Sequence, residues 1–336
     1  MSELRKDPIV GRWVIIASER GRRPNAFAAE REPFPKGICP LCPGNEHLTP
    51  PEIVAIRGGR SEPDTPGWHA RVIPNRSPAL EVEGKLERRG FGLFDQMSGV
   101  GAHEVIVESP HHEVELADLD SETFRNLLLL FVERIVDLRR DQRLLYLLLF
   151  KNHGSEAGAS LEHTHSQIIA MPIVPRQVTE EIEGAERHFR WKERCIFCDL
   201  IDQEQRDRQR VVSDTGHFLV VQPFASRCPF ETWILPKRHS SDFDEMSSEE
   251  IDALGAVFRD TLQRLKSALD DPAYNFVVHS GPLQEKRLSH FHWHIEIMPK
   301  LTHVAGFEWG SGFFINPTAP EEAARFLREV KIRDSG

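Results

Sequence analysis

The sequence predicts an α+β protein made of two copies of one strand, helix and strand unit, with mainly antiparallel sheets and packed helices. Three observations predict it: a feature order that occurs twice, long segments of three- and four-residue apolar periodicity, and short segments of strict alternation. In each copy a C-x-x-C comes first. A strand ending near a Pro and a His, a long helix, a strand, and alternate histidines closed by Met-Pro then follow. His112 and His239, Ser121 and Ser248, His163 and His290, and Pro172 and Pro299 are all offset by 127 residues (239 − 112 for the first pair), so four pairs share one register without a gap. Four coincidences in one register indicate duplication.

The first copy opens on Cys39 and Cys42 in CPLC, followed by HEVIVESPHH, a strand ending toward His112. Phe124, Leu127, Leu128, Phe131, Val132 and Ile135 then recur at helical spacing behind Ser121-Glu122, predicting an amphipathic helix over about 121–140 laid on a sheet. LLYLLLF (144–150) and HTHSQIIAMP (163–172) read as strands, the second with His163, His165 and Gln167 on one face. The second copy runs through Cys195 and Cys198 in CIFC, TWILPKRH ending at His239, a helix over about 248–269, the strand YNFVV, and HFHWHIEIMP (290–299). There Phe291, Trp293, Ile295 and Ile297 alternate with His290, His292, His294 and Glu296. One face is therefore expected to enter a core and the other to present imidazoles and a carboxylate. The copies are assigned to two lobes, residues 1–175 and 190–336, joined within 173–194.

Composition bounds what such a protein does. A chain of 336 residues suffices for two domains and a sizeable core. Its 42 Lys+Arg against 52 Asp+Glu give a net charge of −10, which argues against coating nucleic acid or an anionic membrane, because that affinity needs excess cation. The start, MSELRKDPIVGRWVIIASERGRR, carries charge on both sides of a short apolar stretch and reads as mature sequence rather than a signal peptide. The longest apolar runs, 127–132 and 144–150, fall far short of the ~20 residues that span a bilayer. The expected location is the cytoplasm, with neither nucleic acid nor membrane as partner. In that setting two C-x-x-C pairs, with Cys228 left single, favour metal over disulfide.

Two thiolates separated by two residues, with two imidazoles brought in from elsewhere, suit the tetrahedral preference of zinc. The first half offers Cys39, Cys42, His112 and His163; the second offers Cys195, Cys198, His239 and either His290 or His292, so two zincs per chain are expected. With His163 a ligand, His165 remains free on the same face. A neutral imidazole can attack an electrophilic phosphorus without a general base, giving a phosphoramidate that a second nucleophile discharges. Residues 152–160 just upstream are rich in small side chains that let backbone amides approach phosphate oxygens, and Asn152, Ser160 and Gln167 can donate hydrogen bonds to developing charge. A turn-rich loop beside a packed histidine accounts equally well for that spacing.

Together, CPLC, ESPHH, FKNHGSEAGASLEHTHSQ and HFHWHIEIMP resemble the galactose-1-phosphate uridylyltransferase family, a branch of the histidine-triad superfamily of nucleotidyl transferases. The resemblance runs from about Arg5 to Val330. It implies a duplicated histidine-triad-like fold, a homodimer, and a ping-pong exchange of a nucleoside monophosphate between a nucleotide sugar and a hexose 1-phosphate. It implies that His165 is the nucleophile and that His163 binds the first metal with Cys39, Cys42 and His112. Ser160, Gln167 and Asn152 would contact the phosphates. Arg20 and Arg23, in SERGRRP, look like the family's N-terminal basic motif, and Asn75, in RVIPNRSPAL, looks like its nucleoside-side asparagine. The resemblance favours His292 for the second metal, where the internal repeat aligns His290 with His163.

Two departures bear on substrate. The best-known members have Pro where this chain has Thr164, and their second metal site lacks a C-x-x-C; Thr164, CIFC and the tail GFEWGSGFFINP look more like the branch that includes ADP-glucose phosphorylase. Uridylyl transfer from UDP-glucose to galactose 1-phosphate is the first expectation and adenylyl transfer the second. A zinc-organised binding protein without turnover is the remaining class. The runs RGRR (20–23) and LRRDQR (138–143) that would speak for it are short and isolated in an acidic chain.

Overall fold

The protein is described by a computed structural model covering residues 2–17, 37–285 and 287–332. The first half supplies β1 (Glu3–Lys6), β2 (Trp13–Ile16), β3 (Val54–Arg57), β4 (Trp68–Pro74), the hairpin β5 (Arg88–Phe91) and β6 (Phe94–Met97), β7 (Ala102–Val107), α1 (Ser121–Leu138), β8 (Tyr146–His153) and β9 (His165–Met171). Then come α2 (Arg176–Lys192) and α3 (Ile196–Asp207). The second half adds β10 (Val211–Asp214), β11 (Phe218–Val221), β12 (Thr232–Pro236), α4 (Ser248–Leu269), β13 (Tyr274–His279), β14 (His294–Pro299), α5 (Gly306–Ser311), β15 (Phe314–Asn316) and α6 (Pro320–Glu329).

Each half builds a five-stranded antiparallel sheet, and the two are joined edge to edge. The order is β10-β11-β12-β14-β13-β8-β9-β7-β4-β3, with β8 and β13 pairing antiparallel at the centre from Tyr274 opposite His153 to Val278 opposite Leu149. The join hides two strand edges that would otherwise invite foreign pairing. One face carries α1 and α4, packed on each other through Phe124 and Phe258, whose rings meet edge-on at 5.6 Å, with Phe276 of β13 beneath. Both helices start on an acceptor side chain, Asp120 for α1 and Ser247 for α4, and these caps keep the 127-residue offset (247 − 120). Each cap contributes about 1 kcal/mol by satisfying an amide the helix cannot.

The opposite face differs between the halves. In the second, α2 and α3 cover it, and Leu219, Val221, Trp233 and Leu235 pack under Ala185, Ile196 and Ile201. The segment just after β1 lies across α2 at Gly184, where a Cβ would come within 2.0 Å of the Ile9 carbonyl oxygen. In the first half, among the described residues, a small core of Leu41, Trp68, Ile73 and Val107 covers the sheet, with a cleft beside it.

The helices lie where periodicity places them, while the histidine strands begin later than alternation suggests, at His165 and His294. Phe291 therefore packs on the α2–α3 side, whereas Trp293, Ile295 and Ile297 enter the main core. The second-half imidazole face is also buried rather than presented, because α2 lies over it: His292 and His294 are both 0% exposed.

Candidate active site and metal-ligating clusters

The loop carrying Cys39 and Cys42 sits over the start of β9, with His112 arriving from the segment after β7. The ligand atoms of Cys39, Cys42, His112 and His163 all lie within 4.8 Å of one another. His112 and His163 turn Nδ1 toward the Cys42 sulfur at 3.4 and 3.5 Å. His163 donates Nε2–H to the Ser109 carbonyl at 2.7 Å, which fixes its tautomer and leaves Nδ1 with a lone pair aimed at the thiols. Burial holds the His163 imidazole neutral, its pKa pulled down to about 4. Burial and the neighbouring Cys39 push the Cys42 thiol up to about 11. A dication between the sulfurs would reverse that.

The second cluster repeats this geometry with Cys195, Cys198, His239 and His292, again within 4.8 Å. His239 and His292 turn Nδ1 to Cys198 at 3.5 and 3.8 Å, and His292 donates Nε2–H to the Pro236 carbonyl at 2.7 Å. The structure thus brings His292, not His290, to the cysteines; His290 contributes only its backbone carbonyl, 3.6 Å from the Cys195 sulfur. The counterpart of His163 is offset by 129 residues (292 − 163), so the chain slips by two between the helices and the histidine segments. A slip of two preserves which face a strand side chain occupies.

His165 lies at the floor of a cleft of about 320 Å3 shared with Asn75, Ser160, Gln167 and the apolar Leu41 and Ile73. Its Nδ1–H donates to the His163 carbonyl at 2.7 Å, leaving Nε2 as the lone-pair nitrogen. Burial, reinforced by the Lys151 ammonium, pushes its pKa below the ordinary range, so the ring is neutral. His103, unremarked in the sequence, binds Gln167. The Ala79 amide donates to its Nδ1 at 3.1 Å, so Nε2–H donates to Gln167 Oε1 at 2.9 Å and the Gln167 NH2 group stays available. Asn75 lies 3.1 Å from the same His103 nitrogen. Asn152 ties the loop together, donating to the Gly158 carbonyl and accepting from Asn275. Gly154 and Gly158 have φ of +83° and +91°, a conformation costly for other residues, which lets this loop turn back toward Ser160. Arg20 and Arg23 lie outside the described residues.

A third cluster was not anticipated. Glu181 of α2 faces His279 Nδ1 at 2.9 Å and His294 Nε2 at 3.3 Å, and Glu296 joins it to Arg227 at 2.5 Å. Burial pulls His279 down, but the carboxylates of Glu181 and Glu296 together raise it to about 10.

Models of the N-terminal and C-terminal domains of galactose-1-phosphate uridyl transferase match residues 1–175 and 181–330. The chain belongs to that family. An ADP-glucose phosphorylase from Arabidopsis thaliana is 37% identical over 98% of this chain and 93% of its own. A galactose-1-phosphate uridylyltransferase from Thermotoga maritima is 32% identical over 99% of both. Among solved structures, the Arabidopsis ADP-glucose phosphorylase with bound ADP-glucose superposes with a TM-score of 0.84 at 34% identity, covering 99% of this chain and 100% of that one. A uridylyltransferase superposes at 0.76 with 29% identity, covering 98% and 97%. The fold is thus that of the uridylyltransferase family, and the function is nucleotidyl transfer. No helix among the described residues is long and apolar enough to cross a membrane.

Proposed function

We propose that the protein transfers a nucleoside monophosphate between phosphorylated acceptors by a ping-pong route through nucleotidyl-His165. The observation that carries this is the orientation of His165, with Nδ1–H spent on the His163 carbonyl and the ring neutral at the floor of the cleft. In the first half-reaction Nε2 attacks the α-phosphorus of a nucleotide sugar. The bond to the bridging oxygen breaks, and hexose 1-phosphate leaves with the electron pair. In the second, a phosphate oxygen of the acceptor attacks the same phosphorus, the P–N bond breaks, and the neutral imidazole returns. Ser160, the Gln167 amide and Asn152 serve the phosphates, and Asn75 the nucleoside side.

Zinc fits both Cys2His2 clusters by donor set and by the tautomers that aim Nδ1 at the thiols. Cys39, Cys42, His112 and His163 would hold one ion, and Cys195, Cys198, His239 and His292 the other. Each would cross-link a loop to a histidine segment. The working assembly is a cytoplasmic homodimer.

Adenylyl transfer between ADP-glucose and inorganic phosphate, giving ADP and glucose 1-phosphate, is favoured by the 37% identity to the Arabidopsis phosphorylase and the 0.84 superposition. Uridylyl transfer from UDP-glucose to galactose 1-phosphate is the second reading, supported by the full-length Thermotoga relative. A panel crossing the two nucleotide sugars with galactose 1-phosphate and inorganic phosphate tests both. Turnover with one pairing selects the branch, and absence of any labelled histidine with either donor overturns the mechanism.

A further inference from the structure

Beneath His165 the helix-covered face of the sheet carries a fully buried ion pair beside the hydrocarbon core. Thr164, Ser166, Ile168 and Ala170 point to the side of β9 away from the cleft. Ile168 and Ala170 join the main core, but Thr164 and Ser166 meet Lys151 of β8 and Glu108 just beyond β7. Lys151 is 1% exposed and Glu108 0%. The lysine spends all three N–H donors, on Glu108 Oε2 at 2.7 Å, Thr164 Oγ1 at 3.0 Å and the His165 carbonyl at 2.9 Å. Glu108 also accepts from Ser166 at 2.5 Å and from the Thr164 hydroxyl. Nothing in the network needs water to complete it.

Its placement coincides with a gap in the ladder. The β8–β9 pairing ends at Phe150 opposite Gln167, so His165 begins where β9 keeps regular pairing only with β7, as far as Val107 opposite His165. On the unpaired side the Lys151 ammonium bonds the His165 carbonyl, and on the other the Glu108 amide donates to the Thr164 carbonyl. Lys151 and Glu108 thereby hold the segment between two imidazoles that diverge, His163 toward the thiols and His165 toward the cleft.

We propose that Lys151 and Glu108, acting through Thr164 and Ser166, are positioning residues that hold the His165 backbone so that Nε2 faces the α-phosphorus. This rests on the nucleotidyl-His165 reading. It also gives Thr164 a reason: a hydroxyl between the histidines accepts from the lysine and donates to the glutamate, which Pro cannot do.

Single-turnover mixing with labelled ADP-glucose and, separately, UDP-glucose tests it. Thr164→Val removes one hydroxyl and no charge, and should slow label transfer to His165 about tenfold, with KM for the nucleotide sugar within about twofold. Thr164→Ser should restore the rate. The double variant Lys151→Met with Glu108→Gln, which strands no charge, should slow transfer about a hundredfold at unchanged metal content. Should the double variant fail to fold, the Val and Ser pair decides. If the unaltered protein labels on His165 and the folded variants label as fast, the positioning role is wrong and the nucleophile stands. If His165 takes no label from either donor, the nucleophile reading fails first.

Discussion

His163 and His165 are two residues apart and chemically alike, and what separates them is which nitrogen each gives to a carbonyl. His163 commits Nε2 to Ser109 and turns Nδ1 to the thiols; His165 commits Nδ1 to His163 and keeps Nε2 free. Removing each should therefore fail differently. His163→Ala is expected to lower metal from the proposed two equivalents per chain to one and to destabilise by about 3 kcal/mol, since it removes the buried member of the ligand set and leaves the thiolates without their fourth partner. His165→Ala is expected to keep both metals and the melting temperature while turnover falls by about 10⁴-fold or more. Elemental analysis, thermal melts and intact mass after incubation with nucleotide sugar check this, and an adduct persisting in the His165 variant would refute the assignment. Alternation and spacing made this pair legible. Lys151 and Glu108 were not legible, because in FKNHG and ESPHH nothing marks a charged strand residue as facing inward.

Among the elements, α2 changes the meaning of what it covers. The sequence places a join between halves there, but the helix lays Glu181 against His279 and His294 and buries an imidazole face against a carboxylate. Glu181 lies more than a hundred residues upstream of Glu296, so no local pattern connects them, whereas the long helices were legible from periodicity and their caps. Stability should register this network. Because the folded-state pKa of His279 lies above its ordinary value of 6.5, its protonated form stabilises the fold fully below pH 6.5 and progressively less as pH rises toward about 10. Urea denaturation of the unaltered protein should lose stability between pH 7 and 9.5. His279→Gln should lose less over that interval, by on the order of 2 kcal/mol. Equal slopes would mean that His279 is neutral in the fold.

For the whole molecule, the question is why the proposed mechanism uses one histidine of a duplicated chain. Both halves keep the same ring-to-carbonyl contact: His294 Nδ1 lies 3.1 Å from the His292 carbonyl, as His165 Nδ1 lies 2.7 Å from that of His163, so His294 is the counterpart of His165 (294 − 165 = 129). The surroundings differ. His165 lines a cleft, while His294 is 0% exposed beneath α2 and α3 with Nε2 facing the Glu181 carboxylate at 3.3 Å. A carboxylate where an α-phosphate would sit repels an anionic substrate and fills the space in front of Nε2, and the central β8–β13 pairing fixes both halves in one sheet. On the proposed mechanism, duplication has therefore left the first half to react and the second to brace it. Labelling with nucleotide sugar should saturate at one nucleotide per chain, on the peptide containing His165. Two nucleotides per chain, or label on a peptide spanning residues 290–294, would show that the cover over the second half opens and that Glu181 does not silence it.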